Sequence, residues 1–181
     1  MKRGFAQGLA AALLLGLVCA ACQSRAPVQF DIVSFTPPSG VEVAREGEAI
    51  VLGSNQDAAD RFFRAELHRS APKVGSMQDS FREQWLALLQ GRSTEPPAGH
   101  AGSTTTGLQV VAGGSDVNDT AAERTILAVL YVLDAGSRTI SILVTVPSVE
   151  ELDRHKLEIE SLLGSIRLVD PEAKPTSAAA G

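Results

Sequence analysis

Apolar and polar residues alternate with period two through most of the chain and switch to a helical period at two places. Val28, Phe30 and Ile32 alternate with Gln29 and Asp31, predicting a strand that stops at the turn signal Thr36-Pro37-Pro38-Ser39-Gly40. Val41 and Val43 alternate with Glu42, and Ala49-Ile50-Val51-Leu52 follows Gly47, which gives two more short strands. From Phe63 to Arg69 the alternation has no fault, so one face should be buried and the other solvated, near a sheet edge.

The first helical stretch opens at Ser76, where Ser76 and Asp79 have capping-box spacing and Met77, Phe81, Trp85 and Leu88 recur at helical intervals. A helix is predicted over Ser76 to Gln90, stopped by Gly91, with its Trp85 facing the core. Arg92 to Thr106 is rich in Ser, Thr, Pro and Gly without periodicity, and reads as a mobile loop. Leu108 to Ala112 starts a second set of strands, and Arg124 to Leu133 is almost wholly apolar, as a strand buried on both faces must be. Ala135-Gly136-Ser137 then turns the chain into a strand over Ile140 to Val146. Ser148 and Glu151 have the spacing of a second capping box, ahead of an apolar face of Val149, Leu152, Ile159, Leu162 and Leu163 and a stop at Gly164. Ile166, Leu168 and Val169 can still pack.

Strands, helix, strands, helix, joined by hairpins instead of βαβ units, predict an α+β class with a largely antiparallel sheet. The doubly buried strand requires cover on both sides, so helices are expected on both faces, in a three-layer α/β/α sandwich. The folded domain should run from 28 to 169, with a disordered Pro/Ala/Ser/Gly tail over 170–181.

The N-terminal segment is different in kind. Lys2 and Arg3 precede an apolar run from Leu9 to Ala21, which is the length of a secretory h-region and short of the roughly 20 residues of a spanning helix. Residues 1–21 are therefore expected to be a signal peptide, and 22–27 a tether. The segment Val-Cys-Ala-Ala-Cys ending at Cys22 resembles the lipobox of bacterial lipoproteins, in which the cysteine is diacylated and becomes the first residue of the mature chain. The resemblance implies lipidation at Cys22 and a membrane as one partner, since two or more acyl chains exceed what stable anchoring needs. Gln23 after the cysteine, instead of Asp, favours the outer over the inner membrane by resemblance to the enteric sorting rule.

Composition narrows the functional classes. The chain has 181 residues, 44% apolar and 20% charged, as expected of one globular domain. Its net charge of −5, which becomes −7 once Lys2 and Arg3 are removed, and the lack of a basic cluster speak against nucleic acid as a partner. With Cys22 acylated and Cys19 lost with the signal, neither a disulfide nor a thiol nucleophile is expected in the mature chain.

The run from Phe30 to Val169 resembles the superfamily of the photosystem II extrinsic protein PsbP, which includes the bacterial lipoproteins DcrB and LpqN and a Ran-binding import factor. The marks are FTPPSG at Phe35 to Gly40, SFREQWLALL at Ser80 to Leu89, ISILVTVPS at Ile140 to Ser148 and EIESLLGSIRL at Glu158 to Leu168. The resemblance implies an antiparallel sheet between helices and a binding or assembly role, and no catalytic residue accompanies it.

The candidate chemistry is sparse. No G-x-S-x-G elbow or S-x-x-K is present, and Ala112-Gly113-Gly114-Ser115 lacks the Lys-Ser/Thr pair of a phosphate loop, so it reads as a strand end or bulge. Asp116, Asn118, Asp119 and Glu123 put four oxygen donors in one hairpin loop, a set calcium would accept but without an EF-hand register. His68, His100 and His155 lack ligand spacing; His68 and His155 are expected to be solvated, and His100 to lie in the flexible loop. Glu150, Glu151, Asp153, Glu158 and Glu160 read, with Arg154 and Lys156, as a solvated helix face. No catalytic residue, metal or cofactor is expected. The leading expectation is an envelope lipoprotein whose domain binds another envelope protein as an assembly or accessory factor, through the polar strand face near Arg64 and Glu66. The alternative is a small-ligand or lipid carrier, with a cavity lined by Phe63, Phe81 and Trp85 between the sheet and the Ser76 helix.

Overall fold

The computed structural model describes residues 25–54, 62–90, 92–93, 95–119 and 123–169. The signal peptide 1–21, Cys22 and the tail 170–181 lie outside the described residues. Of the tether, Arg25 donates to the carbonyls of Pro38 and Val41, which ties that residue to the domain.

The N-terminal alternation forms two strands instead of one. β1 (Val28–Phe30) and β2 (Val33–Phe35) make a tight antiparallel hairpin, because Asp31 adopts a left-handed conformation at φ 52° that Asp tolerates better than most residues. The Asp31 carboxylate accepts the Ser70 N–H at 2.7 Å and its hydroxyl at 2.5 Å, and Arg138 Nε donates to that hydroxyl at 2.7 Å. This chain of bonds fastens the hairpin to the main sheet.

β3 (Glu42–Glu46), β4 (Ala49–Ser54), β5 (Phe63–His68) and the two-residue β6 (Ala71–Pro72) follow. α1 (Met77–Leu88) begins at Ser76, whose side chain and Asp79 complete the predicted capping box. The Arg92 to Thr106 stretch does not remain a loop: it contains β7 (His100–Ser103), paired with β8 (Gln109–Asp119) from His100↔Ala112 to Ser103↔Gln109. β9 (Arg124–Asp134) and β10 (Arg138–Val146) form the predicted hairpin, turned by Gly136 at φ 80°. The last helical segment is broken into α2 (Val149–Arg154) and α3 (Lys156–Ser165), and β11 (Arg167–Leu168) returns to β2. Gly164 lies inside α3 and does not stop it.

These elements make a mixed α+β domain built on a large antiparallel sheet. Its strand order is β3-β4-β5-β10-β9-β8-β7, with β6 beside β10, and β1-β2-β11 form a small second sheet. β5 therefore sits between β4 and β10, inside the sheet and not near its edge, because β3 and β4 fold back as a hairpin beyond it.

Alternation along β9 divides the core. Ile126, Ala128, Leu130 and Val132 pack with Phe81, Trp85 and Leu89 of α1 and its C-cap, and α1 lies over β8, β9 and β10. Leu127, Val129, Tyr131 and Leu133 belong to the other cluster, with Phe30, Val33 and Phe35 of the small sheet and Ile159 and Leu162 of α3. Burying a Phe or Leu side chain completely stabilises by about 1.5–3 kcal/mol, so Phe81 with its neighbours dominates the docking of α1. Gly113 and Gly114 lie mid-strand in β8, instead of at a strand end or bulge, and the helix can approach closely because Gly113 faces it; Gly114 faces the other way, toward Val129. A Cβ on Gly113 would stand 2.9 Å from Phe81 Cζ and 2.8 Å from the Ala98 carbonyl oxygen. Among the described residues no helix is long and apolar enough to cross a membrane.

Candidate functional site

The polar side of β5 leads to a charged groove on the outer part of the sheet. Phe63, Ala65 and Leu67 point into the core, and Arg64, Glu66 and His68 take the opposite face. Cross-strand pairing puts Gly53 and then Glu42 in line with Arg64, and Val51 and then Ala44 in line with Glu66. A groove of about 340 Å³ results, with Glu42 and Glu46 on one side, Val51 and Gly53 on its floor and Phe62 and Arg64 on the other side.

Arg64 organises this face. Its Nε donates to Glu66 Oε1 at 2.7 Å and its Nη2 to Glu46 Oε2 at 2.8 Å, bridging β3 and β5 across β4. The bond to Glu46 holds the guanidinium firmly charged, and the same bond, with the Arg64 charge, keeps the exposed Glu46 carboxyl below its ordinary range. His68 Nε2 lies 3.6 Å from Glu66 Oε2. Burial pushes the His68 imidazole below its usual range, and the Arg64 charge adds to this while Glu66 opposes it. His68 is thus half-buried on the charged face, where full solvation was expected. Arg124 lies 4.6 Å from the Phe62 ring centroid, a cation–π contact beside the groove. Two carboxylates, Glu46 and Glu66, thus hold one guanidinium on a surface with an apolar floor, and Glu42 lines the same groove. Such a surface can hold a polar partner through charge and shape; among the described residues it brings together no nucleophile paired with a base.

The structure separates the three aromatics expected to line one cavity. Phe81 and Trp85 are fully buried under α1, whereas Phe63 belongs to the cluster on the opposite side of the sheet. The Trp85 indole N–H donates to Ser93 Oγ at 3.2 Å, so its polar end is satisfied within the fold.

His155 and Glu151 also depart from expectation, being only 9% and 6% exposed. The break between α2 and α3 falls at His155 and turns its ring inward, where it stacks on Phe63 at a centroid distance of 4.7 Å. Glu151 stands 4.0 Å from His155 Nε2 and bonds Arg154 at 2.5 Å, and Glu158 lies 3.9 Å from His155 Nδ1. These groups pin the helix junction to β5. Val149, expected on the apolar face, is 57% exposed.

His100 is in edge strand β7, paired with Ala112. The four oxygen donors considered for a cation do not share a loop: Asp116, Asn118 and Asp119 lie in β8, and Asp119 stands 3.9 Å from Arg124 Nε. Among the described residues no group of three or more His, Cys, Asp or Glu is placed to hold a metal ion.

The sequence points to Arg64 of the groove and to Glu66, which bonds it, but not to Glu42, Glu46 and Phe62. The signal for the two glutamates was present: in a hairpin around Gly47, Glu42 and Glu46 fall on one face four residues apart. What was missing was the pairing of that hairpin with β5.

No protein-family model matches the chain, and no curated protein matches it significantly. Solved structures do share its fold. The Saccharomyces cerevisiae Ran-binding protein Mog1p superposes with a TM-score of 0.52 at 12% identity, over 81% of this chain and 97% of that one. A point mutant of protein Mog1 gives 0.53 at 12% identity, over 81% and 96%. A Bacteroides thetaiotaomicron protein gives 0.50 at 13% identity over 77% of this chain, which spans about half of that protein's length, 46%. At these identities the likeness is one of fold.

Proposed function

We propose that this chain is a non-catalytic protein-binding or accessory module, lipid-anchored to a bacterial cell envelope through Cys22. The observation that carries the binding reading is the charged groove over β3, β4 and β5. α1 lies over β8 to β10, and beyond it the Arg64–Glu46 ion pair and Glu42 line the groove at the surface. The Mog1p neighbour, a Ran-binding protein, supports the reading by example: the same arrangement of strands and helices can serve protein recognition. On this reading α3 and the small sheet form the layer opposite α1, as in the three-layer PsbP-like arrangement. The lipobox-like segment and Gln23 supply the anchor and favour the outer membrane. The partner is then an envelope protein, and no cofactor takes part.

The test is photo-crosslinking in cells from p-benzoylphenylalanine at position 44, in the groove, with Cys22→Ala and Glu46→Arg variants alongside. The expected result is one protein adduct, lost on charge reversal at Glu46, and release of the Cys22→Ala chain from the membrane fraction. An adduct unchanged by Glu46→Arg would overturn the groove as the binding face, and a Cys22→Ala chain still bound to membranes would overturn the lipid anchor.

A further inference from the structure

The two ends of the large sheet differ in how they treat their unpaired backbone. At one end β3 is Glu-Val-Ala-Arg-Glu, with three charged residues among five, the pattern by which edge strands repel added strands. At the other end β7 is His-Ala-Gly-Ser, four exposed residues without a carboxylate, lysine or arginine. Its pairing fixes which groups face outward. Thr104 N–H bonds the Leu108 carbonyl at 2.8 Å, in register with the β7–β8 ladder. Since bonding alternates along an antiparallel pair, Gly102 and His100 turn their N–H and C=O toward β8, and Ala101 and Ser103 turn theirs away. Gly99 has the same parity, and its carbonyl accepts from Gln78 Nε2 at 3.0 Å instead of from β8.

Beside this edge lies a groove of about 350 Å³ between Met77 of α1 and Ala101, Ser103, Gln109 and Val111. Its lining carries no charge. A strand laid along β7 would place alternate side chains over it, which is how strand addition joins main-chain bonding to side-chain selection.

We propose that β7 is a strand-addition site for an extended, uncharged segment of a partner protein. This rests on the protein-binding reading and adds a second surface to it. A second copy of the chain fits poorly. Two β7 strands would meet over only about 13 Å at roughly 3.3 Å per residue, well short of the ~1,000 Å² of a stable interface. Two chains of net charge −5 also repel. An uncharged segment from a different protein is free of that repulsion and, with the same short contact, adds as a transient partner and not as a standing dimer; an apolar β-branched side chain suits the Met77, Ala101 and Val111 part of the groove, and Ser103 and Gln109 supply polar contacts.

The experiment is amide hydrogen exchange on the full chain in detergent micelles, with and without the peptide acetyl-Val-Thr-Val-Thr-Val-Thr-amide at about 1 mM. The expected result is exchange slowed about tenfold or more at Ala101 and Ser103, with β3 unaffected. Ala101→Pro removes one outward N–H without touching the β8 ladder, so it should abolish the protection while leaving thermal stability unchanged. Three results would overturn the site: no protection at β7, equal protection at β3, or protection that rises with protein concentration and without peptide, which would identify a second copy. If β7 fails while the position-44 adduct in cells persists, only strand addition falls; if β7 succeeds without that adduct, the groove on β3 to β5 is the part that falls.

Discussion

Replacing Gly113 by alanine tests the close approach of α1 to the sheet. The new methyl would stand 2.8 Å from the Ala98 carbonyl oxygen and 2.9 Å from Phe81 Cζ. Neither neighbour yields easily, because one is backbone and the other is a fully buried ring packed among Leu130, Val132 and Trp85. Overpacking of this kind costs about 1–3 kcal/mol. The loss of unfolded-state freedom returns about 0.4–1 kcal/mol, so a net destabilisation of about 1–2 kcal/mol is expected. With a urea slope of about 2 kcal/mol per molar, the unfolding midpoint should fall by about 0.5–1 M. Phe81→Leu shortens the ring side of the clash, so the double variant should be less damaged than the sum of the singles, by about 0.5 kcal/mol or more. Gly102 provides the control, since its Cβ would meet only Val110 Cγ1 at an ordinary 3.7 Å, and Gly102→Ala should be neutral or slightly stabilising. An unchanged midpoint in Gly113→Ala, or strict additivity with Phe81→Leu, would refute the argument that glycine sets the helix–sheet distance.

The polar anchors give three further expectations. Burial raises the Asp31 carboxyl, but the Ser70 hydrogen bonds and the Arg138 and Arg69 charges outweigh it and hold it below its ordinary 3.8. Its contribution is present above that value and lost as pH falls through the lowered one. Asp31→Asn should cost about 1 kcal/mol at neutral pH in urea unfolding, a small figure because the group is solvent-exposed, and the difference should vanish in acid. His68 has the opposite charge logic: its imidazole is held below 6.5, so the unfolded chain binds the proton more readily and stability falls as pH drops below that value. His68→Gln should flatten this part of the stability curve between about pH 7 and 5, seen by urea unfolding at each pH. His155→Ala removes the stack on Phe63 and should lower stability by about 1–2 kcal/mol in the same assay.

The parts of the fold legible from the sequence are those in which one local rule acts alone. Ser76 and Asp79 sit three residues apart before an apolar stripe, and the capping box with its helix follows. Ile126 to Leu133 is apolar at both parities, and over those residues the strand is buried or half-buried on both faces. Gly113-Gly114 misled because a glycine pair weakens a strand in isolation. In the folded chain the packing surfaces require the missing side chains: the ring of Phe81 and the Ala98 carbonyl at Gly113, and Val129 with the Ala128 carbonyl at Gly114. β7 escaped notice for a related reason: His-Ala-Gly-Ser has little strand propensity, and it is held in the sheet by its register with Val110 and Val111.

Over residues 149–163 a single break in the helix decides which side chains reach the site. One helix drawn through the segment puts Val149, Leu152, Ile159, Leu162 and Leu163 on one stripe and Glu151 with His155 on the solvated side. The chain instead breaks at His155, so α2 and α3 have separate axes, and the stripe of one does not continue into the other. Val149 is left at the surface and Leu157 in α3 is 76% exposed, while Glu151 and His155 are buried at the junction, His155 stacked on Phe63. Phe63 is the core-facing neighbour of Arg64 on β5, so the polar pair beneath the helix junction and the charged groove above the sheet grip opposite sides of the same strand. Loosening the junction therefore reaches Arg64 through one residue of backbone. A variant at His155 that weakened partner capture without altering any groove side chain would be acting through the position of β5, and its defect should be rescued by replacing His155 with another planar ring able to stack on Phe63.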